Sequence, residues 1–215
     1  MTAGTTSRRP YDSSSRLASA QRNRRTIIEA CRELLLQDGY QTTTLRGVAA
    51  RAGVSVETIY KTFGGKPQLV KAVYDVAIAD GDDLVPPADR PEIQYLQSIS
   101  DPAGLVQAHA HLVTSIHGRL GGLLTVFAES GAEVEEISRT AEAERRDAVA
   151  GIVGRLAGEG FLTTGLSRQR AVEAYWAISS AGIYVRLVRD LHWKPEEYAA
   201  WLTSMIMAIL RPGGN

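Results

Sequence analysis

The densest cluster of hydroxyls, small residues and cations in this chain lies between residues 42 and 66. Its spacing suits contact with a polyanion rather than the making or breaking of bonds. The stretch Val48-Ala49-Ala50-Arg51-Ala52-Gly53-Val54-Ser55-Val56-Glu57-Thr58-Ile59-Tyr60 sets a small residue, Ala49, four positions ahead of Gly53. Two helices that cross steeply need a small side chain where they touch and a glycine where the turn reverses. Val48, Val54 and Ile59 fall where such a pair buries apolar groups, which leaves Val56, Glu57, Thr58, Tyr60 and Lys61 facing outward on the second helix. An exposed helix face of this kind fits the major groove of duplex DNA. Val56 suits a thymine methyl, Glu57 a cytosine amino group and Thr58 either role. A carboxylate in the groove repels phosphates, so Glu57 reads either as a specificity filter or as a favourable charge at its own helix N-terminus.

Other candidate chemistry fails on spacing. Gly64-Gly65-Lys66-Pro67 lacks the earlier glycine and the following hydroxyl of a phosphate-binding loop. His109, His111 and His117 do not converge from one helix: residues two apart project about 200° from each other. No Ser, His and acid arrangement or zinc-protease pattern stands out, so the chain is expected to be no enzyme and to need no metal or cofactor. The acidic residues Glu133, Glu135, Glu136, Glu142 and Glu144 read as a solvated helix face. Tyr95, His109, His117, Phe127, Tyr175 and Trp176 are candidates to line a ligand cavity between helices, with plain core packing as the alternative.

The elements that position these residues are all helical. Proline and glycine cut the chain into helix-length pieces, and no four-residue β-branched run alternates with period two. Residues 1–15 read as a disordered basic tail. A first helix is expected over about residues 16–37, followed by 45–52, capped by the threonines before it, and 56–63, capped by Ser55. A fourth starts at Pro67 and ends near residue 80. Longer pieces follow over about 101–117, 120–130, 133–159 and 167–191, and the last starts near Pro195. This divides the chain into a tail, a helix-turn-helix domain over 16–65 and a helical domain over 66–215.

Net charge over the 215 residues is zero, but it is unevenly placed. Residues 1–71 hold 12 Lys and Arg against 5 Asp and Glu, a net of +7, and the remainder holds 12 against 19, a net of −7. A basic N-terminal region matches a nucleic-acid partner. Arg8, Arg9, Arg16, Arg22, Arg24 and Arg25 read as an extension that reaches a minor groove or the backbone. The single cysteine, Cys31, sits among Ile28, Leu34 and Leu35 at helical spacing and is expected to be buried. No stretch is apolar for long enough to span a bilayer, and the polar, basic start is unlike a secretory leader, so the cytoplasm is the expected location.

Residues 26–70, TIIEACRELLLQDGYQTTTLRGVAARAGVSVETIYKTFGGKPQLV, resemble the DNA-binding domain of the TetR/AcrR family of transcriptional regulators without a gap. The Gly39-Tyr40 helix end, the Thr-Thr-Leu-Arg start, Gly53-Val54-Ser55, Thr58-x-Tyr60 and Phe63-x-x-Lys66-x-x-Leu69 carry the likeness. Glu57, where a small residue is frequent, and Gly64-Gly65 ahead of Lys66 depart from it. The resemblance implies backbone contacts from Thr44, Arg46, Tyr60 and Lys66, base-edge contacts from Val56, Glu57, Thr58 and Lys61, and places Thr43 and Ser55 among the DNA-binding residues. Trp176-Ala177-Ile178 and Tyr198-x-x-Trp201-Leu202 look like one C-terminal domain type of the family. A four-helix dimer interface through Ile178, Ala181, Gly182, Ile183, Trp201, Met205 and Ile209 is implied, an interior helix pair being the alternative. The implied function is a homodimeric repressor that binds double-stranded DNA at a pseudo-palindromic operator and is released by a small-molecule effector, with no membrane partner. The rival readings are a helical dimeric scaffold or architectural protein, and a helical enzyme for which no residue cluster speaks.

Overall fold

The computed structural model describes residues 13–80, 85–128, 130–162 and 166–210, and every regular element among them is helical. Helix α1 (Ser13–Thr42) begins before its expected start and is kinked at Gly39, whose φ of 77° and ψ of 174° are not helical. Arg16, Arg22, Arg24 and Arg25 stand on this helix, within its expected span. Arg8 and Arg9, with the rest of residues 1–12, lie outside the described residues. Helices α2 (Leu45–Ala52) and α3 (Val56–Phe63) occupy the predicted positions, and α4 (Lys66–Ile78) opens with Pro67 in its first turn, where a missing N–H costs nothing.

Beyond α4, a 3₁₀ turn (Pro87–Asp89) leads into α5 (Pro91–Ser98), a helix not anticipated from the sequence. Helix α6 (Pro102–Leu120) is capped by the Asp101 carboxylate, which accepts the Gly104 N–H at 2.6 Å. Then come α7 (Leu123–Ala128), shorter than expected, and α8 (Ala132–Gly158). Ser167 caps α9 (Arg168–Ile178), but the long helix expected here breaks at Ser179 and Ser180. The Ser179 hydroxyl donates to the Tyr175 carbonyl at 2.8 Å, and Ser180 is extended at φ −73° and ψ 150°. Serine side chains compete with the helix for its own backbone, and two in succession let the chain leave it. It resumes as α10 (Ala181–Tyr184), passes into a π-helical turn (Val185–Asp190) and ends in α11 (Pro195–Leu210).

Two cores form. The first gathers Ile27, Cys31, Leu35, Val48, Ile59, Leu69 and Val73 from α1 to α4, and it also takes in Leu120, Leu123, Phe127 and Val134 from farther along the chain. The second gathers Leu105, Val106, Val153, Tyr175, Tyr198, Leu202 and Ile206 from α6, α8, α9 and α11. Each fully buried aliphatic side chain contributes about 1.5–3 kcal/mol. Cys31 is one of the buried set, and desolvation pushes its thiol up to about 12. Helix α4 packs wholly into the first core, so packing unites it with the helix-turn-helix. Helix α6 belongs to both cores, with Val106 and Ala110 in the second and Leu120 in the first. Among the described residues, no helix is long and apolar enough to cross a membrane.

Candidate nucleic-acid interface and interior site

The turn between α2 and α3 is built from local caps. Thr44 is extended (φ −116°, ψ 150°), and its hydroxyl accepts the Gly47 N–H at 3.1 Å. Gly53 ends α2 in the left-handed region at φ 66°, where a residue with a Cβ is strained. Ser55 accepts the Thr58 N–H at 3.1 Å and starts α3. Gly64, at φ 89°, closes α3 by donating its N–H to the Tyr60 carbonyl at 2.8 Å. Each side-chain cap is worth about 1 kcal/mol, so an eight-residue helix that would fray alone is held at both ends.

Helix α3 is pinned by fully buried Ile59, and on its far side Glu57, Tyr60 and Lys61 are exposed. Val56, expected to face outward, is half-buried against the first core. Thr58 is half-buried too, and its hydroxyl lies 3.1 Å from that of Ser55. Hydrogen bonds from its own backbone N–H and from the Ser55 hydroxyl hold the Glu57 carboxyl below its usual range, so it is ionised at the positive end of its helix.

Ser55, Thr44 and Arg46 are exposed beside this face. Thr43 is not: it is buried, and its hydroxyl donates to the Gly39 carbonyl at 2.8 Å, bracing the kinked end of α1. Lys66 is half-buried and donates to the Tyr40 carbonyl at 2.6 Å, with its ammonium 3.9 Å from the centre of the Tyr40 ring. It ties the start of α4 to the end of α1. Arg24, not singled out as a contact in its own right, places its guanidinium 5.0 Å from the centre of the Phe63 ring. With Gln21, Asn23, Thr58 and Thr62 it lines a shallow cleft of about 280 Å³ between α1 and α3. The signal in the sequence was the Arg22-Asn23-Arg24-Arg25 run, legible as charge but not as a position.

Residues 27–73, from α1 to within α4, match the family of bacterial regulatory proteins of the tetR family. The N-terminal domain is a TetR-family domain. No curated protein matches the chain. Solved structures with TetR-like folds extend the likeness over most of the chain. A Syntrophomonas wolfei protein assigned to the TetR family superposes with a TM-score of 0.73 at 15% identity, covering 88% of this chain and 95% of that one. NalD of Pseudomonas aeruginosa, the secondary repressor of the MexAB-OprM multidrug efflux pump, gives 0.70 at 21%, covering 91% and 100%. The regulator FadR of Bacillus subtilis, in complex with stearoyl-CoA, gives 0.69 at 14%, covering 85% and 97%. At these identities the likeness is one of fold: a TetR-like chain with an N-terminal helix-turn-helix and a C-terminal helical domain.

In the C-terminal part of this TetR-like fold, the residues expected around a ligand are scattered. The hydroxyl of Tyr175 and Nδ1 of His109 lie 2.5 Å apart in the interior. Burial keeps the phenol protonated, so the pair is neutral, and the His109 tautomer sets which partner donates. His117 is buried against Tyr184, with ring centres 5.5 Å apart. Desolvation, reinforced by the charge of Arg145, brings both histidines down to about 4, so both are neutral at physiological pH. Trp176 lies under the Arg145 guanidinium, 5.1 Å from its ring centre. Arg145 itself is satisfied by Glu142 at 2.6 Å, the Trp176 carbonyl at 2.8 Å and the Ser179 hydroxyl at 3.1 Å.

The other two candidates lie apart. Phe127 packs on Tyr74 of α4 within the first core. Tyr95 is exposed, and with His111, Gln107 and Leu112 it lines an open groove of about 510 Å³ between α5 and α6.

Sequence reasoning gave Tyr198 only a place in a motif of the last helix and did not single out Arg119. Tyr198 is fully buried on α11, yet its hydroxyl has no hydrogen-bond partner among the described residues. Arg119 of α6 donates to the carbonyls of Ala77 at 2.7 Å and Ile78 at 3.0 Å, clamping the end of α4. A lone tyrosine and a lone arginine carry no local signal for either role.

Of the residues named for dimerisation, Gly182 and Met205 are exposed, and Ile178, Ala181, Ile183, Trp201 and Ile209 are half-buried. Leu191, 61% exposed, stands near them in sequence.

Proposed function

We propose that this chain is a ligand-responsive, DNA-binding transcriptional regulator that acts as a homodimer, most simply a repressor released from a pseudo-palindromic operator by a small molecule. The observation that carries the reading is α3 itself: a capped, rigid helix inside a TetR-family domain, with Tyr60 and Lys61 exposed on the face away from its core. Thr44, Arg46, Ser55, Tyr60 and Lys61 supply backbone contacts and groove contacts from that face. Thr43, Lys66 and Val56 support them from behind. The excess of cations over residues 1–71 adds the sequence-independent attraction.

Helices α9 to α11 supply the surface for a second copy, through Ile183, Trp201, Met205 and Ile209, so that two α3 helices lie about one DNA turn apart. Coupling runs along α6, which reaches from the second core to the Arg119 clamp on α4. A ligand that favours one position of α6 biases the spacing of the two α3 helices, by no more than its difference in affinity for the two states. The complex of a similarly folded regulator with stearoyl-CoA supports a ligand-bearing C-terminal domain in general, without transferring that ligand.

The test is fluorescence anisotropy with DNA from upstream of the chain's own gene, across a salt series. Arg46→Ala should weaken binding to every sequence and reduce the salt slope by about one. Tyr60→Phe should preserve folding and weaken binding. A chain that is folded yet shows no attraction to duplex DNA at low salt would end the proposal.

A further inference from the structure

Three buried side-chain atoms of the second core have no hydrogen-bond partner among the described residues: His117 Nδ1 on α6, Trp176 Nε1 on α9 and the Tyr198 hydroxyl on α11. Native interiors satisfy the large majority of such groups, so three on helices of one core ask for a common cause. Arg145 stacks over the Trp176 ring, and its charge is felt at His117 and Tyr198. Ring contacts join His117 to Tyr184 at 5.5 Å and Tyr184 to Tyr198 at 5.1 Å.

We propose that the region between α6, α9 and α11 is the effector site, and that its ligand is an uncharged, mostly apolar molecule bearing a hydrogen-bond acceptor such as a carbonyl oxygen. This rests on the effector reading given above. The acceptor follows from the unpartnered atoms: an indole N–H only donates, a phenol can donate, and an imidazole adapts by tautomer. The absence of charge follows from Arg145, whose partner Glu142 already balances it. An anion would have to displace Glu142, a cation would meet a guanidinium, and the surrounding Val113, Leu202 and Ile206 solvate neither.

One part of the wall can yield to admit such a molecule. The helix break at Ser179 and Ser180 and the π-helical turn Val185–Asp190 are departures from α-helical bonding of the kind found at functional sites. Tyr184 lies between them on α10, touching both His117 and Tyr198.

The test uses the full chain labelled with ¹⁵N, the Trp176 indole signal being identified by its loss in Trp176→Phe. Acetophenone is titrated beside its charged and apolar counterparts of similar size, benzoate and ethylbenzene. Acetophenone should move the Trp176 signal saturably, ethylbenzene should bind about tenfold more weakly for want of the hydrogen bond, and benzoate should not bind. Tyr198→Phe should raise the melting temperature of the ligand-free protein, because it removes an unpartnered hydroxyl, while weakening acetophenone about tenfold.

No response to any probe, an equal response to all three, or a Tyr198→Phe variant that melts lower and binds unchanged would overturn the site, leaving these atoms to interior water alone. Acetophenone binding that leaves DNA affinity unaltered would keep the binding site and remove its effector role. Intact DNA binding with no probe bound would reject the site while sparing the regulator.

Discussion

Lowering the pH from 7 to 5 should cost this protein several kcal/mol, and two histidines should account for most of the loss. His109 and His117 are buried, and desolvation with the charge of Arg145 lowers each from 6.5 to about 4. A group depressed in the folded state takes up its proton first in the unfolded chain. The stability it confers is therefore complete above pH 6.5 and is lost as the pH falls from 6.5 towards 4. Integrating between pH 7 and pH 5 gives about 2 kcal/mol for each histidine and about 4 kcal/mol for the pair. That is a large part of the roughly 5–15 kcal/mol available to a typical domain. The acidic limb lies above the range of ordinary carboxylates, so these do not mask it. Urea unfolding at half-unit steps of pH, followed by circular dichroism, measures the loss. His117→Gln should halve the pH dependence, and His109→Gln with His117→Gln should nearly abolish it. The same acid loss in the double variant, or ring signals of both histidines titrating near 6.5 in the folded protein, would refute the reasoning.

Three further outcomes follow from the packing. Gly151 lies exposed in α8 with no atom within 4 Å of the place a Cβ would take, so Gly151→Ala should stabilise the protein by about 1 kcal/mol in thermal melts, through helix propensity alone. Arg119→Ala removes the bonds to the Ala77 and Ile78 carbonyls and should destabilise by about 1–3 kcal/mol, while blunting any effect of ligand on DNA affinity measured by anisotropy. Met205, 38% exposed on α11, can accept a charge without unfolding the monomer, so Met205→Glu should convert a dimer to a folded monomer by light scattering. An unchanged dimer would move the interface to another face.

The short helices were legible because their limits are local. Thr44, Gly53, Ser55 and Gly64 each act within four residues of themselves, and the observed ends of α2 and α3 fall where those residues put them. What depends on distant partners, or on a choice between equally good local bonds, was not legible. Thr43 and Thr44 are the same residue type side by side, and only the kink at Gly39 decides that one turns inward and the other caps. Val56 lies on the expected helix, yet the first core covers part of it. The break after Ile178 was hidden because Ser179 and Ser180 read equally well as small helix residues, and α5 because the prolines before it read only as a stop. His109 and Tyr175 were both singled out, but their pairing across 66 positions is a product of folding. Phe127 and Tyr95 were singled out with them, and folding sends one to the other core and one to solvent.

The continuity of the first core across the chain limits how this molecule can be cut. A fragment stopping at Gly65 would strip Leu69, Val70 and Val73, along with Leu123, Phe127 and Val134, from the apolar faces of α1 to α3. The helix-turn-helix is thus no detachable cassette. Chimaeras that graft it onto another helical domain should fold only when the corner between α6 and α7 travels with it.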